Sequence, residues 1–230
     1  APVAQPSIAA VAEAVVAGEF AGVRSLVVGG SRGLGEVIAK ILAAGGAEVV
    51  VTYAHGADDA ERVRAEITAA GGACAVARLD VGEGPDGLAG AAAGPFDQLY
   101  FMATPAIRAG GPGGEAAMRQ RYLSVYVDAF GRLAEALAGR AERRLDVFYP
   151  STVYVADPPE GFVDYAMAKA AGEVLCAALR RDPRFGQVVA ERLPRLASDQ
   201  TVGIAAETFP DPLPLLVAAV RAVSAGRRDG

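Results

Sequence analysis

Gly29-Gly30-Ser31-Arg32-Gly33-Leu34-Gly35 is the stretch that decides how this chain folds. It follows an apolar run at 25–28 that reads as a strand, and it opens an Ala-rich amphipathic run at 33–44 that reads as a helix. Glycines at such a junction let the backbone turn tightly and come close to a ligand. The free N–H groups and positive dipole end of the helix then favour a pyrophosphate. Alone, the run is also compatible with a simple tight connection, so its weight depends on what surrounds it.

Working outward, short Val- and Leu-rich runs at 25–28, 48–52, 74–79, 98–102, 145–149 and 188–192 alternate with helical stretches at 33–44, 58–70, 85–93, 114–138, 165–181 and 212–224. This alternation predicts an α/β fold of the Rossmann type: a doubly wound parallel sheet of about six strands with right-handed crossovers and helices on both faces. Residues 23–230 form one domain on this reading. Residues 1–22 are a helical extension, with an amphipathic helix at 7–18. Ligands are expected beyond the carboxyl ends of the strands.

Composition narrows the function classes. A formal charge of −5 without a basic run gives no footprint for nucleic acid or an anionic membrane. Cys74 and Cys176 lie far apart with no secretory leader read, which points to reduced thiols and a cytoplasmic location. One histidine and no cysteine pair at ligand spacing argue against a metal site. The apolar stretch at 8–17 is broken by Glu13 and is too short to span a bilayer.

Tyr165-Ala166-Met167-Ala168-Lys169 is the most specific feature. Residues four apart share a helix face, so phenol and ammonium point into one cleft. The chain holds two lysines, Lys40 and Lys169, against twenty arginines, and no asparagine. A lysine kept here makes chemical sense, because a compact ammonium fits where a guanidinium does not. Hydride delivery to a carbonyl leaves an alkoxide that needs a proton. A cation beside the tyrosine is expected to lower the phenol's pKa toward neutrality.

The spacing of Gly29, Gly33 and Gly35 (G-x-x-x-G-x-G), with Tyr165 and Lys169 (Y-x-x-x-K), resembles the compact subgroup of the short-chain dehydrogenase/reductase family, and its ketoreductases in particular, over 23–195. Val153-Tyr154 and Glu173 look faintly like the extended subgroup, but glycine spacing and chain length weigh more. The resemblance implies catalytic roles for Tyr165 and Lys169, with Lys169 also holding the nicotinamide ribose. A hydroxyl at the end of the fifth strand would bind the substrate carbonyl. The usual spacing falls on Thr152 and the usual residue type on Ser151, and both remain open. The cofactor would lie against Gly29, Ser31, Arg32, Gly33, Leu34, Gly35, Tyr53, Asp80, Val81, Ala103 and Pro194.

The second strand ends Val51-Thr52-Tyr53-Ala54-His55 without the acid that accepts from unphosphorylated ribose hydroxyls, and Arg32 offers a donor fork. Both favour NADP(H). Three departures from the family qualify the resemblance. Phe101-Met102-Ala103-Thr104 replaces its usual Asn-Asn-Ala-Gly. The relay asparagine is missing, with Ser124 near its place. The usual seventh strand and glycine-bearing tail are expected to be absent. Arg195, in a lid segment at 195–201, is a candidate for an anionic handle such as a phosphopantetheine arm.

The resemblance therefore implies reduction of a ketone by NADPH, first of all a β-ketoacyl thioester on a carrier protein or coenzyme A. Two alternatives stay open: a free-standing alcohol or polyol dehydrogenase, and an NADP-binding structural partner subunit without turnover. A homo-oligomer or a domain of a larger enzyme is expected.

Overall fold

The structure, a computed structural model, describes residues 4–83, 93–111, 114–196 and 210–227. Six strands form one parallel sheet: β1 (Arg24–Val28), β2 (Glu48–Tyr53), β3 (Ala73–Arg78), β4 (Gln98–Phe101), β5 (Leu145–Thr152) and β6 (Phe185–Leu193), in the order β3-β2-β1-β4-β5-β6. The chain winds outward from β1 to β3, then crosses back to place β4 on the other side of β1. The strand ends Val28 and Phe101 are partners in register at that reversal. A crevice opens where a parallel sheet switches direction.

Both faces of the central strands are buried, which is why they read as unbroken apolar runs rather than alternating ones. Val27, Val49, Val51 and Phe148 pack on one face with helices α2 (Gly33–Ala44), α3 (Ala57–Ala69) and α7 (Pro212–Ser224). Leu26, Val28, Val50, Leu99 and Val147 pack on the other, with α4 (Ala116–Leu123), α5 (Phe130–Ala138) and α6 (Val163–Leu179).

The predicted fold class, the six strands and the helices at 33–44 and 212–224 match the structure. The stretch predicted as one helix at 114–138 is α4 and α5 joined by a π-helical turn, Ser124–Ala129, a widening common at functional sites. The N-terminal helix is shorter than predicted: α1 spans Ile8–Ala12, capped by the Ser7 hydroxyl, and turns follow it. Two ties, Lys40 Nζ to the Pro6 carbonyl at 2.9 Å and the Ile8 N–H to Glu66 at 2.8 Å, hold this segment on α2 and α3. The helix predicted at 85–93 lies almost wholly outside the described residues. Among those residues there is no seventh strand, and no helix is long and apolar enough to cross a membrane.

Candidate active site

The glycine turn is built around two close approaches. Gly29 has φ +75°, and a Cβ on it would lie 2.9 Å from the Ala103 nitrogen, so the turn sits directly on the chain leaving β4. A Cβ on Gly35 would meet the Gly29 carbonyl at 2.3 Å, so α2 begins in contact with the turn. Thr52, at the end of β2, holds the turn in place: its carbonyl accepts from Gly30 N–H at 3.1 Å and its hydroxyl from Gly29 N–H at 3.3 Å. Arg32 is the N-cap of α2 and makes no side-chain bond to the helix, which leaves the first-turn N–H groups without a side-chain cap. A bare backbone cradle at an uncapped helix start fits a pyrophosphate.

Two cavities open from this turn and share Gly29, Arg32, Met102, Ala103 and Thr104. One, of about 450 Å³, is lined by Ser31, Tyr53, His55, Asp80, Val81 and Arg121. Its carboxylate, Asp80, accepts from Gly82 N–H at 2.9 Å, and Arg32 Nε lies 3.6 Å from Asp59. The other, of about 380 Å³, is lined by Gly33, Leu34, Gly35, Ser151, Thr152, Tyr165, Lys169 and Pro194. The sequence-predicted residues therefore lie along one groove, the dinucleotide candidates at its first end and the chemical candidates at its second.

Within the second cavity the two hydroxyls of β5 part company. The Thr152 hydroxyl accepts from Tyr154 N–H at 3.3 Å and lies on the Tyr165 side of the cavity, where it favours ionisation of the phenol. The Ser151 hydroxyl donates to Glu173 at 2.6 Å, and the Arg192 guanidinium grips the same carboxylate at 2.8 and 2.7 Å. Ser151 and Arg192 are register partners on β5 and β6, so both reach Glu173 from adjacent strands. Arg192, with Ser151 behind it, holds the Glu173 carboxyl below its usual range.

Lys169 is buried. Its ammonium donates to the Pro150 carbonyl at 2.6 Å and lies over three tyrosine rings, with centroids at 3.9 Å (Tyr126), 4.9 Å (Tyr149) and 5.9 Å (Tyr165). Burial without a carboxylate partner lowers its pKa to about 7. Tyr165 moves the other way: burial raises its phenol well above the usual value, and Thr152 offsets this in part. The expected lowering of the Tyr165 pKa by Lys169 is thus corrected. Burial is the largest cause of the shift, Tyr154 and Tyr122 add to it, and Lys169 is not among the groups that act on the phenol.

Ser124 does not reach the site. It is exposed, and its hydroxyl donates to the Arg121 carbonyl at 2.9 Å, as a serine commonly does inside a helix. Two residues on, in the π turn, Tyr126 is fully buried and hydrogen-bonds Thr104 just past β4. Neither Tyr126, Thr104 nor Thr52 is legible as a site residue in the sequence. One sharper signal exists in Tyr122-x-x-x-Tyr126, which puts two rings on the helix face that meets Tyr165. Arg195 lines the second cavity, whereas 197–201 of the expected lid lie outside the described residues.

A doubly wound sheet with a bare glycine cradle at its switch point defines a dinucleotide-binding domain. The family model for short chain dehydrogenases matches residues 24–92. A curated relative, an uncharacterized oxidoreductase of Methylorubrum extorquens, is 42% identical over 80 residues, a match that spans 34% of this chain and 32% of that protein. A short chain dehydrogenase from Burkholderia cenocepacia, solved in complex with NADP, is 27% identical with a TM-score of 0.79 and covers 89% of this chain and 91% of its own. A variant of a Serratia marcescens short-chain dehydrogenase/reductase is 25% identical with a TM-score of 0.80, covering 91% of this chain and 93% of its own. The chain is thus similar to the short-chain dehydrogenase/reductases, by the family model over residues 24–92 and by fold over about nine-tenths of its length, and that family uses NAD or NADP.

Proposed function

We propose that this chain is an NADPH-dependent ketoreductase. The observation that carries the reading is the convergence of Thr152, Tyr165 and Lys169 in one cavity that continues from the glycine cradle. A nicotinamide bound there supplies the hydride. Tyr165, kept protonated by burial, donates its phenolic proton to the oxygen that becomes the alcohol. Thr152 holds that oxygen beside the phenol. Lys169 supplies positive charge to the cofactor ribose and to the developing phenolate.

NADP(H) over NAD(H) is supported by the absence of an acid at Tyr53, by Arg32 and His55 at the rim of the first cavity, and by the NADP complex of the Burkholderia cenocepacia relative. The walls beyond Tyr165 include Ile107, Tyr154, Phe162 and Leu196, with Arg195 at the edge, which suits an apolar acyl chain carrying an anionic handle. A β-ketoacyl thioester on coenzyme A or a carrier protein is therefore the first substrate class to try. A homo-oligomer or a multidomain enzyme working in the cytoplasm suits such a substrate. The test follows absorbance of NADPH and, separately, NADH, with acetoacetyl and longer β-ketoacyl thioesters. Turnover that prefers NADPH and disappears in Tyr165→Phe supports the reading. A preference for NADH, or activity only on small free alcohols, replaces it with the dehydrogenase alternative.

A further inference from the structure

Lys169 is an unusual buried lysine, because no carboxylate among the described residues balances it. An ammonium has three N–H donors and a full charge. One donor goes to the Pro150 carbonyl at 2.6 Å, and no carboxylate acts on the group among the described residues. What faces the rest of the charge is aromatic, and the nearest face by a full ångström is Tyr126, at 3.9 Å. An aromatic face carries partial negative charge, and a desolvated cation gains most from it.

The fold holds that ring firmly. Tyr126 sits in the π turn between α4 and α5, its ring meets Tyr165 edge-on with centroids 5.8 Å apart, and its hydroxyl is bonded to Thr104. Gly172 on α6 completes the arrangement from below. A Cβ there would collide with the Tyr149 hydroxyl at 1.9 Å, so the glycine gives Tyr149 room under the same ammonium.

We propose that Tyr126 is a positioning residue for the active-site cation: its ring face seats the Lys169 ammonium where a carboxylate would otherwise be needed, and its hydroxyl fixes that ring to the end of β4. The consequence for the reaction rests on the ketoreductase reading, whereas the seating itself does not. A carboxylate in the same place would neutralise the charge that Lys169 presents to the ribose and phenol. An aromatic face holds the ammonium without cancelling it.

The chain's two lysines make the test direct. With lysine labelled at its ε carbon, two proton–carbon signals are expected, and the one lost in Lys169→Met belongs to Lys169. Its ε protons should be displaced upfield by the ring face. That displacement should persist in Tyr126→Phe and largely collapse in Tyr126→Leu. Turnover should stay within about threefold of the parent in Tyr126→Phe and fall about thirtyfold in Tyr126→Leu, the range of a desolvated cation–aromatic contact. Should the leucine variant fail to fold, phenylalanines with increasing fluorination at 126 keep the shape and weaken the face, and turnover should decline in step. An unchanged Lys169 signal in Tyr126→Leu, equal losses in the phenylalanine and leucine variants, or a flat fluorination series would overturn the proposal. If no carbonyl substrate turns over in the parent, the ketoreductase reading fails while the spectroscopic arm still decides the seating.

Discussion

Lys40 and Lys169 are the same residue type, both buried, in opposite surroundings. Lys40 lies on α2 with Glu36 at 2.7 Å, Glu66 at 2.8 Å and the Pro6 carbonyl at 2.9 Å, while Arg62 binds the far side of Glu36. Every charge there meets an opposite charge, and the cluster ties the N-terminal segment to α2 and α3. Lys169 meets one carbonyl and three tyrosine rings. A compensated ammonium is a structural joint. An uncompensated one, lowered to about 7, is a chemical tool that the fold must support elsewhere.

Replacing each lysine by methionine should separate the two roles most widely. Lys169→Met should cost about 10²–10⁴ in turnover while raising stability by roughly 0.5–2 kcal/mol, because an uncompensated buried charge is removed. Lys40→Met should do the reverse. Leaving Glu36 and Glu66 without their shared ammonium should cost about 3–5 kcal/mol in denaturant unfolding, with turnover per folded molecule retained.

The two hydroxyls of β5 give the next contrast. Thr152→Ala should lower turnover about 10- to 100-fold, since it removes the hydroxyl that holds the substrate oxygen beside the phenol on the ketoreductase reading. Ser151→Ala, whose partner Glu173 keeps Arg192, should stay within about threefold. Steady-state kinetics of the pair checks this, and equal losses would place both hydroxyls at the substrate.

The third contrast is in pH. Lys169 loses its proton near pH 7 when folded, against about 10.4 in the unfolded chain. Between those values the unfolded state binds the extra proton, so this group makes stability rise as pH increases. Ketone reduction should fall over the same start of the range, as the ammonium becomes neutral. The stability slope should flatten between about pH 7 and 9.5 in Lys169→Met, measured by urea midpoints. The smallest effect expected is at Tyr149, whose hydroxyl is buried without a hydrogen-bond partner among the described residues. Tyr149→Phe keeps the ring under Lys169 and should leave stability unchanged or higher by roughly 0.5–1 kcal/mol, read as a thermal shift.

Much of this arrangement is legible in the amino-acid sequence. The 25–28 strand, the glycine turn and the 33–44 helix can be read because local rules act in concert there: apolar runs, glycine freedom and helix periodicity. Tyr165 and Lys169 can be read because spacing on one helix determines their shared face. What escapes depends on tertiary placement. Sequence does not separate Ser151 from Thr152, since β5 runs on to Thr152 and the pairing of Ser151 with Arg192 decides which hydroxyl turns to Glu173. Tyr126 escapes because a π turn shifts the face of a helix without a compositional mark. Thr52 escapes because its bonds run to a turn more than twenty residues earlier. The Tyr165 shift runs opposite to the sequence-based expectation because burial, which a sequence does not display, is its largest cause.

The most direct measurement is deuterium transfer from NADPH labelled at the nicotinamide C4 to a panel of β-ketoacyl thioesters and simpler ketones, with product examined by mass spectrometry in the parent and in Tyr165→Phe. Deuterium on the carbinol carbon, abolished in the variant, is the predicted result. Tight NADPH binding with no deuterium on any product would contradict it, and would mark the chain as a binding subunit that keeps the groove without the reaction.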